Sequence, residues 1–277
     1  MDYLHAKLSD AGLSEEAEEG NHEGSLPDFL IIGAQKCGTG YLYRLLSQHP
    51  LMEPSRRREV HYFDVRFAEG LDWYRSNFSP ETYEDGRRMM TGEKSPYYLY
   101  HPHAPRRASE IVPGAKLIAL LRNPVDRAYS NYHHQKRIGH EQLPTFEEAI
   151  AAEPDRLRGE REKMLADAGY VSSNHRRFSY LSRGLYAEQL REWRKFFAED
   201  QIQVVRSEDL YRSTESTLKS ILSFLELPDW QPDKNISEPS KKPRYPAMDP
   251  QTRRRLEDYF EPHNRELCEY LGGDFGW

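Results

Sequence analysis

The chain has 277 residues, of which 37% are apolar, 12% aromatic and 30% charged, a composition that indicates a globular protein rather than a disordered one. The formal net charge of −6 excludes a bulk electrostatic attraction to nucleic acid, so any anionic ligand must be held by a local cluster. The two cysteines, Cys37 and Cys268, are too few for a disulfide framework and favour a reducing cytoplasm. No apolar run approaches the roughly 18 residues of a transmembrane helix, so no spanning segment is predicted.

The N-terminal segment, residues 1–26, is polar and acidic, and we expect it to form a tail outside the core. It lacks the basic-then-apolar order of a signal peptide. From residue 27 to residue 277 the sequence contains no internal repeat and no proline- or serine-rich linker. Because this length suffices for one sizeable core, a single domain is predicted over residues 27–277.

The core begins with a strand, a glycine-rich loop and a helix. Residues 27–32, PDFLII, form a short β-rich apolar run between proline and glycine, which predicts a buried strand. The loop GAQKCGTG follows at residues 33–40, and apolar residues then recur at helical spacing from Gly40 to His49. Such a unit places free backbone N–H groups where an anion can bind.

The rest of the chain continues the alternation of strands and helices. Residues 115–121, AKLIALL, predict a second buried strand, and a helix is expected to start at Pro124. The remaining predictions are a third strand over 202–205, helices over 144–164, 185–197 and 218–225, and a last helix from Asp249-Pro250 to Gly272. The sequence therefore predicts an α/β fold, a single domain with a central parallel sheet flanked by helices and a P-loop-like phosphate-binding loop.

The position of Lys36 distinguishes this loop from the loops of ATPases. An ATP-type loop has the form GxxxxGK[ST], whose lysine contacts the β- and γ-phosphates and whose hydroxyl binds magnesium. Here Lys36 precedes the second glycine, and Gly38-Thr39-Gly40 replaces the GK[ST] ending. The loop can hold a phosphate but lacks the pair that serves a nucleoside triphosphate and its metal. The alternative is a glycine-rich turn that is needed only for packing.

A second candidate anion site follows the strand at residues 115–121. Arg122 lies at the C-terminal edge of that strand, where open α/β sheets bind ligands. Ser130 lies about two helical turns further on and can reach the same anion. An arginine fork suits a terminal phosphate, and the alternative role of Arg122 is a structural salt bridge.

These segments carry a family resemblance. FLIIGAQKCGTGYLYRLLSQHP resembles the 5′-phosphosulfate-binding segment of the sulfotransferases that use 3′-phosphoadenosine 5′-phosphosulfate (PAPS), and LIALLRNPVDRAYSNYHHQKR resembles their 3′-phosphate-binding segment. Residues 58–64, REVHYFD, residues 93–96, EKSP, and residues 241–249, KKPRYPAMD, are similar to the heparan-sulfate branch and its soluble bacterial relatives. The five segments occur in the family's order.

The resemblance implies PAPS as the cofactor, adenosine 3′,5′-bisphosphate (PAP) as its product, and transfer of a sulfuryl group to an acceptor hydroxyl. Lys36 is then expected at the bridging oxygen and the leaving 5′-phosphate, and Arg122 and Ser130 at the 3′-phosphate. Helical spacing with Trp193 favours a core position for Tyr186, whereas the resemblance places it near the adenine. The other implied cofactor-binding residues are Cys37, Gly38, Thr39, Gly40, Tyr41, Lys241, Lys242, Arg244 and Tyr245.

Glu59 and His61 compete for the role of general base. Glu59 matches the catalytic glutamate of the heparan-sulfate branch, while His61 has the more suitable unperturbed pKa, and both side chains face the same way if the segment is extended. Lys94 matches a lysine that helps to stabilise the sulfuryl group in the family. Its alternative role is an ordinary ion pair with Glu93 or Asp64.

The acceptor and the cellular location are less constrained. No HExxH or CxxC spacing occurs, so no metal site is predicted. The sequence lacks the membrane anchor and the loop disulfide of Golgi heparan-sulfate enzymes, which favours a soluble cytoplasmic protein. Its acceptor is then a small metabolite, a carbohydrate or glycolipid, or an acyl chain on a carrier protein. The alternative functions are a P-loop nucleotide kinase and a nucleotide-binding module without catalysis.

Overall fold

A computed structural model describes residues 24–79, 83–84, 86–232 and 245–277. Its centre is a parallel sheet of five strands in the order β2-β5-β1-β6-β7. The strands are β1 (Phe29–Gly33), β2 (Met52–Pro54), β5 (Met90–Lys94), β6 (Lys116–Leu121) and β7 (Ile202–Arg206), and β3 (Tyr83–Glu84) and β4 (Arg87–Arg88) form a separate antiparallel pair.

Helices pack around this sheet. In chain order they are α1 (Thr39–Leu46), α2 (Gly70–Ser76), α3 (Ala104–Ile111), α4 (Pro124–Arg137), α5 (Phe146–Ala151), α6 (Glu153–Leu157), α7 (Glu160–Ala166), α8 (Ser173–Arg177), α9 (Tyr186–Arg194), α10 (Ser207–Arg212), α11 (Thr214–Phe224) and α12 (Pro250–Leu271). Short 3₁₀ turns lie at Phe67–Glu69, Tyr98–Tyr100, Ser182–Gly184 and Glu199–Gln201. None of the helices in the described ranges is both long and apolar enough to cross a bilayer.

The order of the strands creates a binding crevice at the end of β1. This strand is completely buried and pairs with β5 on one side and with β6 on the other. Chain connections therefore leave β1 in opposite directions, which is the switch point where open α/β sheets bind ligands beyond the carboxyl ends of their strands. Gly33, Lys94 and Arg122 lie at or just after the ends of three adjacent strands, at the edge of the sheet that borders this crevice.

The α/β fold with its parallel central sheet is confirmed, and so are three predicted strands. Side-chain caps fix the starts of two predicted helices: Asn123 Oδ1 accepts the amides of Val125 and Asp126 at 3.0 and 3.3 Å, and Asp249 Oδ1 accepts that of Thr252 at 2.8 Å. The stretch 144–164 is mostly helical, as predicted, and consists of three short helices. The sequence reasoning also missed β2 and β5.

Candidate active site

The loop after β1 is shaped for an anion. Gly38 has φ 91° and caps α1 in the left-handed region, and a Cβ there would lie 2.8 Å from the Tyr211 hydroxyl. Lys36 also has a positive φ, 74°, which is uncommon for a residue with a side chain. Within the described residues, the amides of Gly38, Thr39 and Gly40 donate to no other group of the chain. These free N–H groups at a helix N-terminus favour a phosphate or sulfate.

Cations surround Lys36. Burial, followed by the charges of Arg137 and Arg122, lowers the pKa of Lys36. Arg122 Nη1 donates to the Lys36 carbonyl at 3.4 Å, so the two predicted anion-binding residues lie together. Burial, then the charges of Lys36 and Arg137, lower the pKa of His134 to about 4, so this histidine is neutral at pH 7.

Arg137 and His134 were not identified from the sequence. They lie on the last turns of α4, at helical spacing from Ser130, and that spacing was the signal that could have found them. Ser130 itself is 8% exposed and its hydroxyl makes no hydrogen bond to another described residue. Arg122 and Arg137 therefore lie near Lys36, and Ser130 adds a hydroxyl on the helix that carries Arg137. No ion pair from Lys36 or Arg122 to a carboxylate is found in the described part of the chain. Such a set fits a ligand with more than one anionic group.

A chain of ionised side chains lies beside the loop. Lys94 Nζ at the end of β5 donates to Glu59 Oε1 at 2.5 Å, and Glu59 Oε2 accepts from His61 Nε2 at 3.0 Å. His61 Nδ1 lies 2.7 Å from Asp64 Oδ2. The Glu59 side chain is 35% exposed, whereas Lys94 is 3% and His61 14% exposed. Of these groups, the carboxylate of Glu59 is therefore the one most open to a second substrate.

The surroundings of Glu59 and His61 determine their protonation states. Burial alone would raise the pKa of Glu59, but the hydrogen bond from His61 and the charge of Lys94 lower it to about 2. Burial would lower the pKa of His61, but hydrogen bonds to Asp64 and Glu59 raise it to about 9. At neutral pH Glu59 is a carboxylate, and His61 is an imidazolium whose two nitrogens both donate.

Lys94 pairs with Glu59 rather than with either partner that the sequence analysis considered. Burial lowers the pKa of Lys94, and the charge of Glu59 opposes this effect. Glu93 instead accepts hydrogen bonds from three hydroxyl groups, and Asp64 accepts from His61. Lys94 is therefore ion-paired, but with neither partner of the alternative role, because Glu93 and Asp64 accept from other donors.

Three of the predicted cofactor-binding side chains are buried supports of the loop. Cys37 and Tyr186 are 0% and 2% exposed, and the Tyr186 hydroxyl donates to the Arg122 carbonyl at 2.9 Å. Tyr41 is also buried and stacks on Tyr211 with ring centroids 5.6 Å apart. Tyr186 thus holds the core position that its spacing predicts and offers no open ring face to an adenine.

A further support links the loop to the segment after α8. Arg183 Nη1 donates to Gln35 Oε1 at 2.5 Å, and Arg183 Nη2 donates to the carbonyls of His175 and Arg176. The Arg183 guanidinium is fully buried and lies 4.7 Å from the centroid of the Tyr97 ring. The loop that bears Lys36 is therefore held from two directions, by Arg183 at Gln35 and by Tyr186 beneath Arg122.

The segment before α12 is described only at its end. Lys241, Lys242 and Arg244 lie outside the described residues, so their predicted contacts stay predictions. Tyr245 stacks on His133 of α4, with ring centroids 4.2 Å apart, and its ring meets that of Tyr129 edge-on. Tyr245 thus lies against the same helix that carries Ser130.

Comparisons with known proteins identify the family of this chain. A family model described as a sulfotransferase domain matches residues 26–262. The chain belongs to the sulfotransferase domain family. The sulfotransferase resemblance is therefore confirmed, and the kinase alternative is not favoured.

Several characterised sulfotransferases are similar in sequence to this chain. The chain is 28% identical to the membrane-associated sulfotransferase kil1 of Dictyostelium discoideum, over 91% of this chain and 66% of that protein. It is 31% identical to mouse heparan sulfate glucosamine 3-O-sulfotransferase 3A1, over 92% of this chain and 66% of that one. A bifunctional heparan sulfate N-deacetylase/N-sulfotransferase 1 of Caenorhabditis elegans is 30% identical over 89% of this chain but only 30% of its own length. The chain thus spans less than two thirds of the length of these curated relatives.

A solved bacterial structure is similar over nearly its whole length. The sulfotransferase from Alicyclobacillus acidocaldarius has a TM-score of 0.72 and 29% sequence identity, and the match covers 90% of this chain and 97% of that one. The parallel sheet and its flanking helices are therefore those of a sulfotransferase. No cluster of potential metal ligands occurs among the residues that the structure describes.

Proposed function

We propose that this protein transfers a sulfuryl group from PAPS to an acceptor hydroxyl. The observation that carries this proposal is the position of an ionised, partly exposed Glu59, hydrogen-bonded to Lys94, beside an anion-binding loop that bears Lys36. An anion site and a carboxylate in one crevice are what an in-line transfer to a hydroxyl requires. PAPS, when bound, supplies the activated sulfuryl group.

On the donor side, backbone and cationic groups hold the nucleotide. The free amides of Gly38, Thr39 and Gly40 would bind the 5′-phosphate, with Lys36 at the oxygen that bridges phosphorus and sulfur. Arg122 and Ser130 would bind the 3′-phosphate. Cys37 and Tyr41 can contribute only through the backbone or as buried supports, because their side chains are inside the core.

On the acceptor side, Glu59 would take the proton from the acceptor hydroxyl. A new bond forms between the acceptor oxygen and sulfur, and the bond between sulfur and the bridging oxygen breaks. The electron pair of that bond remains on the 5′-phosphate of PAP, where the Lys36 ammonium neutralises the developing charge. Lys94 lies at 2.5 Å from Glu59 and can shift toward the sulfuryl oxygens as Glu59 becomes protonated.

Glu59 is a better candidate for the base than His61. A base must accept a proton, and both nitrogens of His61 donate to carboxylates in a structure that raises its pKa to about 9. His61 would instead orient Glu59 and tune its basicity, with Asp64 behind it. A pKa of about 2 makes Glu59 a weak base, so we expect its pKa to rise when the acceptor excludes water from the crevice.

The surroundings of Glu59 favour an anionic acceptor such as a charged carbohydrate. Arg56, Arg57 and Arg58 immediately precede it and are exposed. The guanidinium carbons of Arg57 and Arg66 lie 5.3 and 5.6 Å from the Trp73 ring centroid. Two guanidinium groups held over this ring, next to a run of exposed arginines, suit a sugar that bears negative groups. Heparan sulfate, the glycan in the names of two relatives, is therefore the first acceptor to test.

Calorimetric titration with PAP tests the donor side. We expect micromolar binding that adenosine 5′-monophosphate and ATP do not match, and a loss of at least about tenfold in Arg122→Ala. Arg206→Ala is the matched control, because Arg206 pairs with Leu121 in register at the end of the neighbouring strand but bonds to Asp209 and the Phe275 carbonyl. ATP binding that equals PAP binding and ignores Arg122 would contradict the proposal.

Transfer of radioactive sulfate from PAPS tests the reaction itself. The acceptors are heparan sulfate, its de-N-sulfated form, 4-nitrophenol, a glycolipid and a hydroxyacyl pantetheine, each with wild type and Glu59→Gln. Labelled product from at least one acceptor, strongly reduced in the variant, is expected. PAP binding without transfer to any acceptor would favour the nucleotide-binding module.

We also propose a cytoplasmic location and a single domain over residues 27–277. Both cysteines, Cys37 and Cys268, are unpaired thiols, which supports a reducing compartment. The relative kil1 is described as membrane-associated, so the proposal assigns this protein a different location from that of kil1. Fractionation of cells that produce the full-length protein decides between the soluble and the membrane fraction.

A further inference from the structure

Another carboxylic side chain, that of Glu93, is completely buried. It directly precedes Lys94, which pairs with Glu59. Glu93 Oε1 accepts hydrogen bonds from the hydroxyls of Tyr74 and Tyr98, both at 2.9 Å. Its Oε2 accepts from the Ser95 hydroxyl at 2.7 Å. Burial raises the pKa of Glu93 to about 7, so above that pH, where His61 titrates, Glu93 is a carboxylate that only accepts. In that state it fixes the direction of three hydroxyl protons.

Two of these hydroxyls hold the backbone turn that carries His61. With its proton directed to Glu93, the Ser95 oxygen accepts the amide of His61 at 2.9 Å. The Tyr98 oxygen accepts the amides of Tyr62 and Phe63 at 2.7 and 3.3 Å. Two hydroxyls, those of Ser95 and Tyr98, thus connect three consecutive amides of the turn to Glu93. The Tyr74 hydroxyl contacts no amide of the turn.

The turn needs this support because His61 has an unfavourable backbone. Its φ is 58°, a region that costs a residue with a side chain of the order of 1 kcal/mol or more. In that conformation the imidazole reaches Glu59 on one side and Asp64 on the other. A return of His61 to the ordinary region would swing the ring away from at least one carboxylate.

We propose that Glu93 is a positioning residue for sulfuryl transfer: it orients the hydroxyls of Ser95 and Tyr98 so that they hold residues 61–63 and aim His61 at Glu59 and Asp64. This inference rests on the proposed function, in which Glu59 receives the acceptor's proton. Glu93 touches neither substrate, and its effect reaches Glu59 only through the backbone of the turn. Arg107 supports the other side of the turn through the carbonyls of Phe63 and Asp64.

Two tyrosine variants provide a matched test. Tyr98→Phe and Tyr74→Phe each remove one buried hydroxyl that donates to the same oxygen of Glu93, and each keeps its ring. Only Tyr98→Phe deprives the turn of an acceptor. The readout is the pKa of His61, followed by NMR of protein with isotope-labelled histidine, which requires no acceptor substrate.

We expect His61 to titrate near pH 9 in wild type and in Tyr74→Phe. In Tyr98→Phe, Ser95→Ala and Glu93→Gln its pKa should fall toward the ordinary histidine value near 6.5, because the imidazolium loses its aligned carboxylates. An unchanged pKa in these three variants, or an equal fall in Tyr74→Phe, would overturn the proposal. If Tyr98→Phe does not fold, Ser95→Ala decides the question. Of the three amides of the turn, it leaves only that of His61 without its acceptor.

PAP titration of the same variants separates this inference from the proposed function. Among the described residues, the hydrogen bonds of Glu93 come from Tyr74, Ser95 and Tyr98 and none from the loop at residues 33–40, so each folded variant should bind PAP as wild type does. Weakened PAP binding in Ser95→Ala would show a general loosening of the crevice and contradict a local positioning role. Absence of sulfate transfer by wild type, with the expected His61 shifts, would refute the proposed function and leave the structural support of the turn intact.

Discussion

Among single residues, Glu59 makes the sharpest prediction. Glu59→Gln keeps the size of the side chain and a hydrogen-bonding oxygen but cannot accept the acceptor's proton. We expect kcat to fall by about 10²- to 10⁴-fold, the usual contribution of a general base, with PAP affinity nearly unchanged. Steady-state kinetics and calorimetry measure the two effects. Glu110→Gln, at a 53% exposed position paired with Arg106, is the control and should behave as wild type.

If Glu59→Gln retains activity, a residue other than Glu59 must act as the general base. His61 would then be the remaining candidate, and its pH profile would have to show activity rising as the imidazolium loses its proton near pH 9. The proposed roles predict the opposite trend, because loss of that proton removes the hydrogen bond that His61 donates to Glu59.

His61 also predicts how stability depends on pH. Its folded pKa of about 9 lies above the ordinary value of 6.5, so its ionic contacts stabilise the fold fully below pH 6.5. This contribution is lost as the pH rises through 9. The difference in free energy of unfolding between wild type and His61→Asn should therefore be large at pH 6 and much smaller at pH 10, as measured by urea denaturation. A difference that is equal at both pH values would contradict the imidazolium.

The sequence allowed these residues to be named but not their charges to be assigned. Glu59, His61 and Lys94 stand in short recognisable motifs, and Lys36 follows from the spacing of the loop. The protonation of His61 depends on Asp64, whose carboxylate reaches the ring only because residue 61 adopts a positive φ. Periodicity and motif spacing carry no information on such a local backbone reversal.

At the scale of elements, the loop between β1 and α1 makes the next prediction. Gly38→Ala places a Cβ 2.8 Å from the Tyr211 hydroxyl in a left-handed residue. We expect a loss of about 1–2 kcal/mol in stability and weaker PAP binding, because the amides of the helix N-terminus move. Gly114→Ala is the control, since its Cβ would meet nothing within 4 Å. Chemical denaturation and calorimetry of both variants test the difference, and an equal effect of the two substitutions would sink the argument.

Strand β5 shows why one central element escaped sequence reasoning. Its sequence, MTGEK, has no apolar run, yet its last four residues are buried. Their polar atoms find partners inside the fold: the Thr91 hydroxyl donates to the Glu53 carbonyl, hydroxyls donate to Glu93, and Lys94 pairs with Glu59. Strands β1 and β6 were predictable because they bury apolar side chains. A strand that exists to place charged groups in a site lacks that signal.

For the whole molecule, charge at a distance and charge in the crevice act in opposite directions. The net charge of −6 repels an anionic nucleotide at long range, whereas Lys36, Arg122 and Arg137 attract it locally. The alternation of strands and helices was enough to predict the architecture, and the charge count was enough to require a local cluster. The boundary of the domain near residue 27 stays a prediction, since residues 1–23 lie outside the described part.

The cations of the crevice lead to opposite predictions for the stability of the free protein and for its affinity for PAP. Without a ligand, burial first and then the charges of Arg137 and Arg122 lower the pKa of Lys36. The charge contributions mean that the two arginines repel Lys36. Arg137→Ala should therefore leave the melting temperature of the free protein unchanged or slightly higher. The same substitution should weaken PAP binding by up to about tenfold, or about 1.4 kcal/mol, because the ligand loses one attractive charge.

Arg106→Ala provides the comparison for that substitution. Arg106 is a 73% exposed arginine on α3 that pairs with Glu110 one turn away, a kind of contact that contributes about 0.3–0.5 kcal/mol. It should lower stability slightly and leave PAP binding unchanged, the reverse of the pattern for Arg137. Thermal unfolding with and without PAP measures both quantities on the same samples, since a ligand at free concentration L that binds only the folded state stabilises it by RT ln(1 + L/Kd) and so raises the melting temperature more when it binds more tightly. If Arg137→Ala instead lowers the stability of the free protein and leaves the PAP-induced shift intact, Arg137 is a structural residue, and the cation cluster of the donor site is smaller than proposed.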